Sequence, residues 1–420
     1  MTDLKNKFAS VVLSMGLVCL STLAVAKCGD VFELSNTPTR LVDVAKLNMP
    51  TTPNKPNMNM TIYELKPRNT LPKHIGALDL NMACDFDTKM TKSLQGFLSP
   101  EGIEGIKKKL GVIKDGGLTV GYLFRAWYSN PTQRYKHGAL GDTIEAQTLN
   151  VEAPVFENSK SSTGARTKTQ KVAQYTVSEN EVFEDLNPRL FWPPITPGLE
   201  GLVRGMRTRP KIAAIISNLS KGASVAIFEL KSSGRNGKAP LQPLHEDGDG
   251  KPGIYGFVET PKLVKIAQTP FIGMSHRWLN IIGVGDFDGD GTNEIAIVVT
   301  PHIGGRLEIW ELRDGKLVKE AEMDGFTNHI NGSVVQDMSA IGDYNADGVA
   351  DLAVPDDSRK SIHLLSFLGG ELKEIKTLPL PARITTNIVP LTISKNFKEM
   401  SGPPGLMMGL ENNTLVVLRP

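Results

Sequence analysis

Residues Asp286–Glu294 read DFDGDGTNE, and residues Asp343–Asp351 read DYNADGVAD. Each stretch has oxygen-bearing side chains at positions 1, 3, 5 and 9 and a glycine at position 6. This spacing suits a hard cation such as calcium, which takes roughly six to eight oxygen ligands. Because the second stretch begins 57 residues after the first, the pattern also predicts a repeated structural unit.

Both stretches predict a calcium site with a strand, rather than a helix, on its C-terminal side. Neither is an EF-hand loop, because position 12 is Ile297 or Val354 instead of glutamate. The second stretch has one negative charge fewer, so we expect it to bind calcium more weakly. An acidic turn without an ion is the alternative for both. The predicted ligands are the side chains of Asp286, Asp288, Asp290 and Glu294 with the carbonyl of Thr292, and the side chains of Asp343, Asn345, Asp347 and Asp351 with the carbonyl of Val349.

Apolar segments follow the two acidic stretches in the same order, and they predict several β-strands per repeat. A period of about 55–60 residues with several strands in each unit is typical of β-propeller blades. A solenoid is the alternative. A partial last copy, over residues 406–418, is predicted to pair with strands from the N-terminal part and so to close a ring. The predicted strands are Lys211–Ile216 and Val225–Leu230 in an early copy, Glu294–Val299 and Leu307–Leu312 after the first acidic stretch, and Asp351–Val354 and Ile362–Phe367 after the second.

These loops and strands resemble FG-GAP/VCBS-type repeats, which occur in bacterial β-propellers and in the propellers of integrin α subunits. The resemblance is strongest over residues 275–380, is weaker from about residue 120, and thins out over 27–116. It implies a propeller fold and calcium more than it implies an activity. One copy departs from the pattern: residues 191–197 read FWPPITP where an acidic loop is expected, so we expect that blade to lack a metal.

The predicted fold class is all-β, a propeller of five to seven FG-GAP/VCBS-type blades with one short helix near the N-terminus. The helix is expected from Ser99-Pro100-Glu101, a cap with proline and an early acidic residue, to about Leu110. The predicted organisation is a signal peptide over 1–26, an extended lead-in over 27–59 and the propeller over 60–420, with the clearest repeats at 187–232, 283–322 and 340–380 and an insertion at 232–257.

The N-terminus has the pattern of an export signal. Lys5 and Lys7 precede a mostly apolar stretch, and Ala24-Val25-Ala26 supplies a small-x-small cleavage site. A membrane anchor is the alternative, although no other apolar run of about 20 residues exists. We therefore expect a bacterial periplasmic or secreted protein without a transmembrane segment after cleavage. Cleavage leaves Cys28 and Cys84, which an exported protein commonly pairs in a disulfide; two separate buried thiols are the alternative.

The composition and motifs point to binding rather than to a recognisable catalysis. The chain has 47 Lys+Arg against 45 Asp+Glu, so no charge excess argues for nucleic acid. The first hypothesis is a calcium-stabilised binding or structural scaffold whose partner is a protein or a saccharide. The alternative is an envelope-polymer hydrolase or lyase with a site on one propeller face, for which Arg277, His302 and His329 are the residues to inspect.

Three further sets of side chains are expected to have structural or solvent-exposed positions rather than functional roles. His245–Gly250 (HEDGDG) superficially resembles a third acidic loop, but it lies outside the repeat register, and a solvated insertion loop is the favoured interpretation. The histidines show no close pair with metal-ligand spacing. The four tryptophans, which offer rings for stacking on sugars, are expected in the core: Trp127, Trp192, Trp278 and Trp310.

Overall fold

A computed structural model of the protein describes residues 32–34, 37–39, 41–48, 61–67, 100–121, 124–158, 166–192, 209–231, 242–243, 255–256, 260–391 and 404–419. The chain divides into two compact units. Unit 1 comprises Met1–Ile103, Gly325–Ile330 and Val335–Pro420, and unit 2 comprises Glu104–Asp324 and Asn331–Val334. The regular secondary structure of the described residues is almost entirely β-strand, which confirms the predicted all-β class.

The secondary structure of the described residues consists of one α-helix, one 3-10 helix over Leu368–Gly370 and 26 strands. The helix α1 spans Pro100–Leu110. The first strands are β1 Phe32–Leu34, β2 Thr37–Thr39, β3 Leu41–Asn48, β4 Thr61–Pro67, β5 Thr119–Gly121, β6 Phe124–Thr132, β7 Glu145–Asn158, β8 Arg166–Thr176, β9 Glu181–Phe183, β10 Arg189–Phe191, β11 Lys211–Asn218, β12 Gly222–Lys231, β13 Gln242–Pro243 and β14 Tyr255–Gly256. The others are β15 Lys262–Gln268, β16 Leu279–Gly285, β17 Glu294–Val299, β18 Arg306–Arg313, β19 Lys316–Asp324, β20 Ala340–Gly342, β21 Asp351–Pro355, β22 Ser361–Ser366, β23 Lys373–Pro379, β24 Ile384–Leu391, β25 Gly405–Leu410 and β26 Leu415–Arg419.

The predicted helix is confirmed with its predicted ends. It begins at Pro100 and ends at Leu110. Proline suits the first turn because the missing N–H would have had no partner there. Gly111 follows with a φ of 65°, a left-handed conformation that glycine adopts without strain and that commonly ends a helix.

Unit 2 contains a curled sheet of nine strands in which β15, β12, β11, β9, β7, β6 and β5 are neighbours in that order. Strand β10 also pairs with β11, and β8 pairs with β7. Two short strands pair with β11 in place of one continuous strand: β9 pairs with residues 216–218 and β10 with residues 211–213. The segment between β9 and β10, residues 184–188, turns its polar side chains inwards; Glu184 and Asp185 are fully buried.

Strand β11 lies between two hydrophobic layers of unit 2. Ile212 and Ile216 belong to one core with residues of β6 and β7, whereas Ile215 belongs to a second core with residues of β16 and β17. A strand that is buried on both faces has a continuous apolar run, and β11 has one in residues 212–216, IAAII. The sheets of unit 2 therefore pack face to face.

The second sheet of unit 2 is an antiparallel meander in the order β16-β17-β18-β19. Strands β18 and β19 are joined by Asp314 and Gly315, both with positive φ (50° and 75°), as a tight two-residue hairpin requires. The predicted strands in this copy, Glu294–Val299 and Leu307–Leu312, are confirmed as β17 and β18.

Unit 1 repeats this arrangement in the antiparallel meander β20-β21-β22-β23. Its apolar face, which includes Ala353, Ile362 and Leu364, shares a core with Leu406 and Met408 of strand β25. The predicted strands of the second copy are therefore confirmed, and successive sheets also pack face to face within this unit.

The C-terminal strand pairs with an N-terminal strand, as the partial last copy predicts. Strand β26 is antiparallel to β4 in a five-stranded sheet of order β24-β25-β26-β4-β3. The pairing runs from Leu415 opposite Leu65 to Arg419 opposite Thr61. The predicted lead-in contributes to this sheet, because β3 pairs with β4.

Several predictions fall outside the described residues: the signal peptide over 1–26, the Cys28–Cys84 pairing, the His245–Gly250 loop and most of the 191–210 segment. Within the predicted insertion, β13 pairs with β14. In the part of the chain that the structure describes, no helix has the length and apolar character needed to cross a membrane.

Candidate functional site

The two acidic loops occupy the same place in their sheets. In unit 2 the first loop joins β16 to β17, and in unit 1 the second joins β20 to β21. Each loop therefore connects the first and second strands of a four-stranded antiparallel meander. Position 9 of each loop, Glu294 or Asp351, is also the first residue of the second strand.

In both loops, the carboxylate at position 1 accepts hydrogen bonds from backbone N–H groups later in the same loop. Asp286 accepts hydrogen bonds from the backbone N–H groups of Gly289 at 2.8 Å and Gly291 at 3.1 Å. Asp343 accepts from the N–H groups of Asp347 and Gly348, both at 3.0 Å. The glycine at position 6 has a φ of 89° in the first loop and 91° in the second, a backbone conformation for which glycine is the ordinary choice.

The side chains at positions 3 and 5 make the same local bonds in both loops. Each accepts from the backbone N–H group two residues further on, which keeps its oxygens on the inner side of the turn. The four bonds join Asp290 N to Asp288 at 3.0 Å, Thr292 N to Asp290 at 2.7 Å, Asp347 N to Asn345 at 2.9 Å and Val349 N to Asp347 at 2.8 Å.

The carboxylate at position 9 is buried in both loops and reaches back to the start of its own loop. Glu294 accepts from the N–H groups of Phe287 at 2.7 Å and Asp288 at 3.4 Å. Asp351 accepts from Tyr344 at 2.9 Å and Asn345 at 3.3 Å. The exposed fraction is 0% for Glu294 and 1% for Asp351, so each loop holds one carboxylate away from water.

Burial makes these two carboxylates costly to ionise when no cation is near. Burial raises the pKa of Glu294 to about 8 and that of Asp351 to about 6, although the backbone N–H groups that they accept act in the opposite direction. Oδ1 of Asp351 is buried, and the Ser366 side chain near this carboxylate also acts to lower the pKa of Asp351. A cation bound in the loop would favour the charged form of both side chains.

The first loop brings three carboxylates close enough to share one ion. The ligand oxygens of Asp286, Asp288 and Glu294 lie within 4.8 Å of one another. These are hard oxygen donors, which suit calcium or magnesium rather than a soft metal. The second loop has Asn345 in place of the second carboxylate, so its oxygen set carries less charge.

Glu311 is a neighbour of the first loop that the sequence analysis did not single out. It lies on β18 directly opposite Glu294, is 5% exposed, and accepts a hydrogen bond from the Thr292 hydroxyl at 3.1 Å. Arg313 pairs with the same carboxylate. Only cross-strand register reveals this proximity, since residues 292 and 311 are far apart in the sequence.

The three residues named for a possible enzymatic site, Arg277, His302 and His329, each have different surroundings. His302 stacks on Trp278 with ring centres 5.8 Å apart, and burial lowers its pKa to about 4. Arg277 is partly exposed, and its guanidinium donates to the His276 carbonyl at 3.5 Å. His329 belongs to the other unit, where it is 2% exposed.

The tryptophan predictions are confirmed where the indoles are most deeply buried. Trp127 and Trp278 are 3% and 2% exposed, and their indole N–H groups donate to the carbonyls of Leu110 and Glu184. Trp310 is partly buried and packs against the second core of unit 2. These rings therefore stabilise the sheets.

Glu145 supplies a test of the buried charges in unit 2. It is 2% exposed, and burial, reinforced by the nearby Glu184, raises its pKa from 4.5 to about 9. Between these pH values the unfolded state binds one proton fewer than the folded state, so stability falls as the pH rises, by about 1.4 kcal/mol per pH unit. Urea unfolding of Glu145→Gln should match the wild type at acidic pH and become progressively more stable than it towards about pH 8.

A matched control for this prediction is Glu179→Gln, which removes an exposed glutamate. It should leave the slope of stability against pH unchanged. Parallel pH profiles for Glu145→Gln and the wild type would show that Glu145 does not carry the proton.

The fold and the site together define an almost entirely β protein in which two four-stranded meanders carry an acidic loop at the same corner. No protein-family model matches the sequence, and no curated protein matches it. Among solved structures, the chain is similar to the exotype rhamnogalacturonan lyase YesX, with 12% identity and a TM-score of 0.27. The match covers 71% of this chain and spans 55% of the lyase chain. A likeness this weak carries no argument about fold or function.

Proposed function

We propose that the protein is an exported, calcium-stabilised β-propeller of the FG-GAP/VCBS type that acts as a binding or structural scaffold. The observation that carries this proposal is the buried carboxylate at position 9 of both acidic loops. Glu294 and Asp351 are each removed from water, and the ligand oxygens of Asp286 and Asp288 lie within 4.8 Å of that of Glu294. A buried carboxylate is costly unless it is paired or coordinates a metal.

Calcium fits these loops better than other ions do. All predicted side-chain ligands are oxygens, and calcium accepts a flexible shell of about six to eight of them, whereas magnesium demands a stricter octahedron. In the first loop Asp286, Asp288 and Glu294 lie around one centre. The predicted carbonyl ligands at Thr292 and Val349, together with Asp290 and Asp347, complete the proposed sets.

The proposed role of the ion is to fasten each loop to the strand that follows it. Its ligands come from the loop and from the first residue of the second strand, so an ion joins two segments that unfolding separates. Since an ion that binds only the folded state stabilises it by mass action, each site contributes on the order of 2.7 kcal/mol at a hundredfold excess of calcium over its dissociation constant.

The proposed propeller rests on the repetition of packed antiparallel sheets. Strands β16–β19, β20–β23, and β24–β26 with β4 and β3 form three separate sheets, and the nine-stranded sheet is proposed to comprise two blades, β5–β8 and β9–β12 with β15, which are joined by the single β7–β9 pair of Ala146 and Phe183. Pairing of β26 with β4 combines the two ends of the chain in the last group, the usual way to close a ring of blades. We therefore propose five blades, the lower end of the predicted range.

The remaining parts of the proposal come from the sequence. The N-terminal pattern supports export to the periplasm or the medium after cleavage at residue 26, and Cys28 and Cys84 are proposed to form a disulfide there. The balanced charge supports a protein or saccharide partner in preference to nucleic acid. The scaffold has no assigned catalytic step.

Isothermal titration with calcium tests the proposal directly. The wild type should bind two ions with unequal affinity, the first loop more tightly because it has more carboxylates. Asp290→Ala and Asp347→Ala should each abolish one binding event and leave the other. Absence of calcium binding by the folded wild type would refute the proposal.

A further inference from the structure

Three aromatic rings of unit 2 form a cluster away from the acidic loop. The ring centres of His137 and His276 are 5.2 Å apart, and Tyr135 lies 5.7 Å from the first and 5.1 Å from the second. His137 comes from the connection between β6 and β7, and His276 from the connection that leads into β16. Because β16 separates His276 from Asp286, the cluster and the acidic loop lie at opposite ends of that strand.

The hydrogen bonds of the two imidazoles fix which nitrogen carries the proton. Nδ1 of His137 lies 2.5 Å from the Glu184 carboxylate, which accepts, so Nδ1 is the donor. Nδ1 of His276 lies 2.8 Å from the Ser275 hydroxyl oxygen. That hydroxyl donates its hydrogen to the Leu219 carbonyl at 2.8 Å, so towards His276 it acts as an acceptor.

In the neutral form with the proton on Nδ1, each ring presents an unprotonated Nε2. A neutral imidazole with Nδ1–H has its lone pair on Nε2, which is the nitrogen available to a metal. Neither Nε2 makes a hydrogen bond within the part of the chain that the structure describes. The side chain of His137 is 15% exposed, and His276 is exposed, so both rings border solvent.

Glu184 holds His137 in the manner of an outer-shell partner of a metal site. The carboxylate is fully buried, and its second oxygen accepts from the Ser217 hydroxyl. The backbone carbonyl of the same residue accepts from the indole of Trp278. Metal-ligating histidines usually donate their other N–H group to such a carboxylate, which orients the ring and raises its basicity.

The spacing of the rings suits a shared ion. A metal bound by Nε2 of two imidazoles at about 2.0–2.1 Å, with a tetrahedral angle between the bonds, places the ring centres about 5 Å apart. The observed separation is 5.2 Å, with the ring planes at 84°. His276 has a φ of 57°, an uncommon conformation that recurs at functional sites.

We propose that His137 and His276 form a binding site for a borderline divalent transition metal such as zinc or copper, with water in the remaining coordination positions. Imidazole nitrogens suit these ions and not calcium. The proposal therefore does not rest on the acidic loops, and the two kinds of site are separable by the metal used.

Titration of the folded protein with zinc and with copper, near neutral pH and in excess calcium to occupy the oxygen ligands of the acidic loops, tests the proposal. The wild type should bind one ion, and the copper spectrum should show nitrogen ligands. His276→Asn should weaken binding at least tenfold; asparagine tolerates the positive φ, so the loop conformation is retained. His137→Asn should have the same effect.

His363→Ala is the matched control. His363 also pairs with a carboxylate, Glu374, at 2.8 Å, but it belongs to unit 1. It should bind zinc as the wild type does. Equal zinc affinity for the wild type and His276→Asn, or no copper–nitrogen signal in the wild type, would overturn the proposal. The melting temperature of each variant verifies that it is folded, and the exposed His276 keeps the test informative if His137→Asn does not fold.

Discussion

Asp185→Ala should destabilise unit 2 by about 3–5 kcal/mol, the loss expected when one partner of a buried charge pair is removed. Asp185 is fully buried and lies in the segment that separates β9 from β10. It accepts from the Tyr128 hydroxyl at 2.8 Å and from the Ile215 backbone N–H at 3.1 Å. It also forms an ion pair with Arg189. The substitution removes the acceptor of these groups and of the Asn187 backbone N–H, which lies 3.4 Å from the carboxylate, whereas Arg189 keeps its bond to the Asn187 carbonyl.

Urea unfolding measures this effect, and Tyr128→Phe is its control. That variant removes one donor and leaves the Asp185 carboxylate bonded to Ile215 and Arg189, so it should cost about 1 kcal/mol. Similar losses for the two variants would show that the aspartate is not the centre of this network.

Asp290→Ala should lower the melting temperature in calcium more than Asp347→Ala does. The two residues occupy position 5 of their loops, and each accepts the N–H group of position 7, at 2.7 and 2.8 Å. The loss of local hydrogen bonds is therefore similar. The proposed contribution of the bound ion to stability differs, because the first loop has more carboxylates. Loss of the ion from that loop costs on the order of 2.7 kcal/mol at a hundredfold calcium excess.

Thermal unfolding of both variants in calcium and in chelator separates the two contributions. In chelator the two substitutions should have nearly the same effect, since only the turn is altered. An effect of Asp290→Ala that is equally large with and without calcium would place its role in the turn and not in ion binding.

The sequence predicts the strands best where both faces are buried. The run 212–216 reads IAAII, and Glu294–Val299 reads EIAIVV; both become strands because only a sheet within a hydrophobic core accommodates such runs. The hairpin β7–β8 is less predictable, since Arg166–Thr176 reads RTKTQKVAQYT. Strand propensity there depends on pairing with β7, which the local sequence does not show.

The candidate sites also differ in how far the local sequence predicts them. The proposed calcium ligands of each loop lie within nine consecutive residues, so the sequence spacing alone suggests them. Glu311 joins the first loop only through its register opposite Glu294. His137 and His276 are separated by 139 residues, and no local pattern relates them; the packing of two connections at one end of the sheets brings their rings together. The one available signal is chemical, since both belong to short polar stretches between apolar strands.

Calcium is proposed to hold each acidic loop to the strand that follows it. The most direct measurement is the melting temperature of the wild type in calcium, in magnesium and in chelator. We expect a higher melting temperature in calcium than in chelator, because an ion that binds only the folded state stabilises it. Magnesium should stabilise the protein less than calcium does, since its octahedral preference suits the loops less well. Superimposable melting curves in calcium and in chelator would contradict it.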